Sequence, residues 1–147
     1  DLVIDPGEAE FYLELSGRGW SLGATLAQAI GTGHEGAYGE LSASLRRPLG
    51  RGFVSIGPSV RIGDGRYNGA LYDVPEAFVV SSGLPAYDAG AGIESVALGG
   101  LLGLPVSRHW SLTVLARAGR LVGDAADSPV VRERMQLFGL VALTRRF

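Results

Sequence analysis

The sequence predicts an all-β fold, an antiparallel up-and-down transmembrane β-barrel of the outer-membrane type, and three observations carry that prediction. Apolar and polar residues alternate with a period of two through about seven segments, which is the spacing of strands and not of helices. The connections between those segments alternate in length, short at 17–19, 48–52 and 105–108 and longer and polar at 31–36, 64–92 and 123–129. Charges of both signs share the face opposite the apolar one. Short turns at one end and long loops at the other are the arrangement of bacterial outer-membrane barrels. A soluble up-and-down barrel shows it less regularly, and periodicity alone does not say which face is inside.

Composition narrows the classes. The chain has 147 residues, enough for one domain with a core, and its charged fraction of 19% is below the usual quarter. Mean hydropathy is +0.21, yet no stretch of eighteen apolar residues occurs, so no transmembrane helix is expected. Twenty-three glycines suit β turns and crowded barrel interiors. A net charge of −2 with scattered arginines gives no reason to expect nucleic-acid binding. The absence of cysteine removes disulfides, zinc-thiolate sites and thiol nucleophiles.

Taken in order, Asp1 to Gly7 reads as a loop end. Residues 8–16 then alternate, with Ala9, Phe11, Leu13 and Leu15 opposite Glu10, Tyr12 and Glu14. After a Gly-Arg-Gly turn, Trp20, Leu22, Ala24 and Leu26 mark the apolar face of a second strand. A third runs to about Arg46, setting Leu41 and Leu45 against Tyr38, Glu40, Ser42 and Ser44. The fourth sets Val54, Ile56, Val60 and Ile62 against Ser55, Gly57, Ser59 and Arg61, with Pro58 arguing for an edge or a bulge. No alternation is sustained from 64 to 92, a length that marks a functional or unstructured loop. A fifth strand carries Val96, Leu98, Leu102 and Leu104 on one face. The sixth, from Trp110, and the seventh, from Met135, form a final hairpin ending on Phe147.

Six charged residues, Glu10, Glu14, Glu40, Arg46, Arg61 and Arg117, fall opposite the apolar face and are expected to line a polar lumen. Trp20, Phe53 and Trp110 each stand beside a short turn and are expected to form an aromatic girdle at one interface. Little else carries chemistry. His34 and His109 are the only histidines; a His34-Glu35 pair in a loop is expected to be solvated, and His109 to sit at the interface. Ser128 lacks the context of a nucleophile elbow. Asp-Ser-Pro is a turn former whose side chains cap loop backbone. Asp124 and Asp127 alone make a poor calcium site. No catalytic, cofactor or metal residues are therefore expected.

The closing hairpin also resembles a known family. His109-Trp110-Ser111-Leu112, Ala116-Arg117, Arg120-Leu121 and the loop Gly123 to Val131, centred on Asp127-Ser128-Pro129, are similar to the C-terminal part of the MipA/OmpV family of Gram-negative outer-membrane proteins. Tyr67-Asn68-Gly69-Ala70 and Ser82 to Tyr87 match further family stretches, and the likeness thins back to about Phe11. The resemblance implies a non-enzymatic barrel in the cell outer membrane that brings a murein-degrading transglycosylase together with a murein synthase. Such a barrel would have membrane lipid, lipopolysaccharide and the barrel-assembly machinery as partners, with Phe147 as the assembly signal. The family usually has an aromatic where this chain has Arg145.

Family members are longer, and single-chain bacterial barrels have even strand numbers. Seven strands therefore predict the C-terminal part of a larger barrel, with Asp1 in an extracellular loop; the alternative is that Leu2 to Ile4 supplies an eighth strand that closes a small barrel. Two further functions compete with the scaffold, an outer-membrane pore or envelope-stress porin and a soluble ligand-binding barrel. A hydrolase is the most distant.

Overall fold

The computed structural model of the chain describes residues 2–5, 8–29 and 36–145. The loop with His34 and Glu35 and the terminal Phe147 lie outside the described residues. Eight strands are seen among them: β1 (Leu2–Asp5), β2 (Glu8–Gly17), β3 (Trp20–Ala29), β4 (Ala37–Leu49), β5 (Gly52–Gly63), β6 (Gly92–Pro105), β7 (Trp110–Leu121) and β8 (Met135–Arg145). They make one antiparallel sheet in which each strand pairs only with its neighbours in sequence. Apart from β1, each is ten to fourteen residues long, enough to cross a membrane core at the usual barrel tilt. The four residues of β1, read from sequence as a loop end, pair with β2, and no pairing joins β1 to β8. The described sheet is an open strip with the topology of an outer-membrane-type barrel.

Pairing carries each face across the sheet. One ladder runs Leu13–Ala24–Leu41–Val60–Val96–Arg120–Met135. The next runs Tyr12–Thr25–Glu40–Arg61–Ser95–Leu121 on the opposite face. Burial is the reverse of a water-soluble protein. Leu41, Leu45, Ile56 and Leu98 in mid-sheet are exposed, while Glu40, Arg61, Ser55 and Ser59 are partly buried. An apolar surface of this extent needs a lipid or protein partner. Pro58 sits in a central strand without shifting the register, since Ser42↔Ser59 and Leu45↔Ile56 frame it in one continuous count. Lacking an N–H, it only removes a ladder bond.

The short turns are built on glycines in the left-handed region, Gly19 at φ 80° and Gly50 at φ 58°, where a Cβ would be strained. The opposite end folds differently from the loop expected there. Residues 64–91 contain α1 (Gly65–Tyr72) and α2 (Glu76–Ser82), and α3 (Gly123–Asp127) follows β7. Asp64 starts α1, accepting the Tyr67 N–H at 2.7 Å on one oxygen and the Ala37 N–H at 3.0 Å on the other. Gly83, at φ 70°, ends α2. Tyr72 of α1 and Ala125 and Ala126 of α3 pack with Ala89 and Leu121 into a small buried cluster, to which α2 contributes no buried residue. This cap, not the strip below it, holds the largest fully buried side chain, Asn68.

Candidate functional site: a polar face beneath a loop cap

All six charged residues singled out from sequence lie on the polar face, by register. Glu40 and Arg61 are direct cross-strand partners and form an ion pair at 2.8 Å. The Arg61 guanidinium also lies over the Tyr38 ring at 4.9 Å, and Tyr38 contacts Tyr67 of α1 with centroids 5.0 Å apart. Arg117 reaches across β6 to the Ser59 hydroxyl at 3.5 Å. Glu14 accepts the Tyr12 hydroxyl at 2.5 Å. Glu10 stands on the same face, its neighbour across the pair being Ala27. The six are not brought together as one cluster: Glu40 and Arg61 are joined, Arg117 lies further along, and Arg46 is near the short turns.

Arg46 stacks on an aromatic ring. Its guanidinium carbon sits 3.6 Å from the centroid of the Phe53 ring. Phe53 pairs with Pro48 and Gly103 and so shares the polar face with Ser55 and Arg61. It therefore does not belong to a lipid-facing girdle; nearness to a turn was outweighed by strand parity. Trp20 and Trp110 do lie on the apolar face, paired with Leu45 and Arg145. The Arg145 guanidinium lies 5.8 Å from the Trp110 ring centroid.

The cap is held together, and to the strand β6, by hydrogen bonds of which two are buried. Tyr72 donates its hydroxyl to Glu94 at 2.8 Å, and Asn68 donates its amide to the Gly90 carbonyl at 2.8 Å. Ser128, 3% exposed, donates to the Tyr72 carbonyl. Asp124 accepts the Gly90 N–H at 2.9 Å, and its carbonyl accepts the Tyr87 hydroxyl at 2.7 Å. Arg134 holds the loop from the other side, donating to Ala126 O at 2.9 Å and pairing with Asp127 at 3.1 Å. Of the family-like loop residues, Asp124 and Ser128 thus tie loop to loop, Asp127 braces its own loop through Arg134, and Pro129 lies in the turn closed by the Val131 N–H on the Ser128 carbonyl. Burial, and then the bond to Glu94, push the Tyr72 phenol well above its ordinary range. Partial desolvation, followed by the charge of Asp124, raises Tyr87 as well.

Glu94 is the residue that alternation missed. It is 6% exposed, and one of its carboxylate oxygens has no partner. It sits where the β5–β6 register shifts, between the pairs Arg61↔Ser95 and Ile62↔Ile93. A period of two does not place a residue in a bulge. Among the described residues no group of three His, Asp or Glu is disposed to hold a metal ion. His109 is exposed in the last short turn, its N–H on the Ser107 hydroxyl at 3.3 Å.

The family model described as MltA-interacting protein MipA matches residues 5–147. The chain belongs to the MipA family. No curated protein and no solved structure matches it. In this MipA-family chain the two ends of the strip are chemically unlike. The loop end carries the hydrogen-bonded cap, whereas the short turns expose Arg18, Arg51 and Arg108 and contain no Asp or Glu.

Proposed function

We propose that the chain belongs to a non-enzymatic barrel of the Gram-negative outer membrane that holds a murein-degrading transglycosylase, together with a murein synthase, at its short-turn end. The family's own description as MltA-interacting supports the choice of partner. Exposed leucines over partly buried charges support the membrane setting, since lipid is the solvent that such a surface requires. The barrel-assembly machinery is then a transient partner. One observation carries the docking end: Arg18, Arg51 and Arg108 are exposed on turns without a carboxylate.

Turns this small bury little area, so recognition is electrostatic more than hydrophobic, matched to an acidic surface and weakened by salt. Arg18→Glu, Arg51→Glu and Arg108→Glu together are expected to lower recovery of the transglycosylase with the barrel by about tenfold or more. The measurement is co-purification from detergent-solubilised envelopes, with heat-modifiable mobility confirming that the barrel has assembled. Undiminished recovery from the assembled triple variant would overturn the docking end.

A pore is the second reading, and a specific observation favours it. The polar face is lined by small residues, among them Gly23, Ser42, Gly57, Ser59, Ala97 and Gly99, which leave room for water between the charged pairs. Planar-bilayer recording is expected to show channels under this reading, with selectivity altered by Arg117→Glu. Silent bilayers containing assembled protein would remove it.

A further inference from the structure

We propose that the loop-side rim of the outward face binds a phosphorylated lipid headgroup of the outer leaflet between Arg120 and Arg132. The proposal rests on the membrane setting given above and adds a ligand and a site to it.

Arg120 is the one arginine of β7 on the apolar face, paired with Val96 on one side and Met135 on the other. Trp110 begins the same face at the opposite end of the strand. Ten residues separate them on β7. At about 3.3 Å per residue and a tilt of about 40°, they stand roughly 25 Å apart along the membrane normal, the height of a barrel's apolar band. Arg145 lies beside Trp110 at the turn end. The lipid-directed face of this hairpin is thus bracketed by arginine at both ends. A lipid-facing arginine in mid-band is costly and near an interface almost free, which fixes Arg120 at the level where headgroup phosphates begin.

Arg120 also lines an open cavity of about 590 Å³ with Arg132, Arg134, Asp127, Glu133 and Met135. Arg134 is engaged with Ala126 O and Asp127. Neither Arg120 nor Arg132 has an ion-pair partner among the described residues. Two planar guanidinium forks outside any ion pair suit a phosphate monoester, which each can grip through paired N–H donors. Glu133 opposes an anion, so binding requires both arginines at once. Met135 and Val131, at the same cavity, provide apolar surface for the start of an acyl chain. A free anion would not use that surface.

The test is native mass spectrometry of the assembled protein in detergent. It is titrated with a bisphosphorylated glucosamine lipid, the same lipid dephosphorylated, and inorganic phosphate. Wild type is expected to retain the bisphosphorylated lipid in preference to the other two. Arg120→Gln with Arg132→Gln should weaken retention by about tenfold or more, whereas Arg51→Gln with Arg108→Gln at the turn end should leave it unchanged. Equal retention by the Arg120/Arg132 variant, or equal binding of the dephosphorylated lipid, would overturn the site. Full competition by millimolar inorganic phosphate would reduce it to an anion site and overturn the lipid. Partition of the wild type into the aqueous phase without detergent would overturn the membrane setting itself, and that outcome is distinguishable because it needs no lipid probe.

Discussion

Leu98→Arg is expected to destabilise the folded barrel in lipid by about 2–4 kcal/mol, while Met135→Arg, near the loop rim, costs about 0–1 kcal/mol. Leu98 lies midway along β6 on the apolar face, between Pro58 and Ala118, and is 51% exposed. In a protein surrounded by water, a residue so exposed takes a charge with little effect, within about 0.5 kcal/mol. The two settings therefore predict different answers from one substitution. Denaturant unfolding in phospholipid vesicles, followed by tryptophan fluorescence from Trp20 and Trp110, measures it. A Leu98→Arg variant as stable as Met135→Arg would place the apolar face in water, and the inverted burial would need another explanation.

Tyr72→Phe is expected to loosen the cap without unfolding the strip. The lost hydroxyl leaves Glu94 buried with neither carboxylate oxygen bonded, because its second oxygen already has no partner. A stranded buried acceptor costs about 1–3 kcal/mol, and more when charged. The loss should appear as faster amide exchange in α1 and α2, with protection in β5 and β6 retained. A pH series gives the sign independently. The Tyr72 phenol is raised above its ordinary value by burial and by the bond to Glu94, so the folded form holds the proton more tightly. That contribution is complete below a pH of about 10, the unperturbed phenol value, and is lost as pH rises above it. Wild-type cap protection should decline in that alkaline window, and the Phe variant should lose most of the decline. Identical alkaline profiles would mean that the Tyr72–Glu94 bond does not hold the cap.

The strands were legible because β2 to β5 alternate over most of their length, so that Leu13 and Leu41 announce their face even without neighbours. In β6 to β8, by contrast, Leu101, Leu115, Phe138 and Leu140 share the polar face. The face of Phe53 was legible too, by parity with Ser55 and Arg61, and was misread through its nearness to a turn. The helices of the cap left no such signal. Each is eight residues or fewer, interrupted by Gly69 or bounded by Pro75, and too short to be stable alone. What holds them is remote in sequence: Ala37 on Asp64, Tyr87 on Val74, Ser128 on Tyr72. Asp64 before the helix was the one local cue. Glu94 was hidden for a different reason, since a bulge displaces it from the count. The arginines of the loop rim were visible as letters, but only the pairing of Arg120 with Val96 and Met135 shows which face of the sheet it shares.

The strictly sequential strand order has a consequence for how the chain reaches its fold. Six of the seven pairings are hairpins whose ends are near one another in the chain, and they can register locally. The β5–β6 pairing must first bring together the two ends of residues 64–91. Relative to a three-residue turn, closing a loop of that length costs roughly 2 kcal/mol more in chain entropy. Formation of α1, which Asp64 caps locally through the Tyr67 N–H, before strand pairing would shorten the span to be closed. The helix that ties Tyr72 to Glu94 beside the polar face would then act as a splint during assembly, and the middle of the sheet, not either edge, is where the closure cost falls.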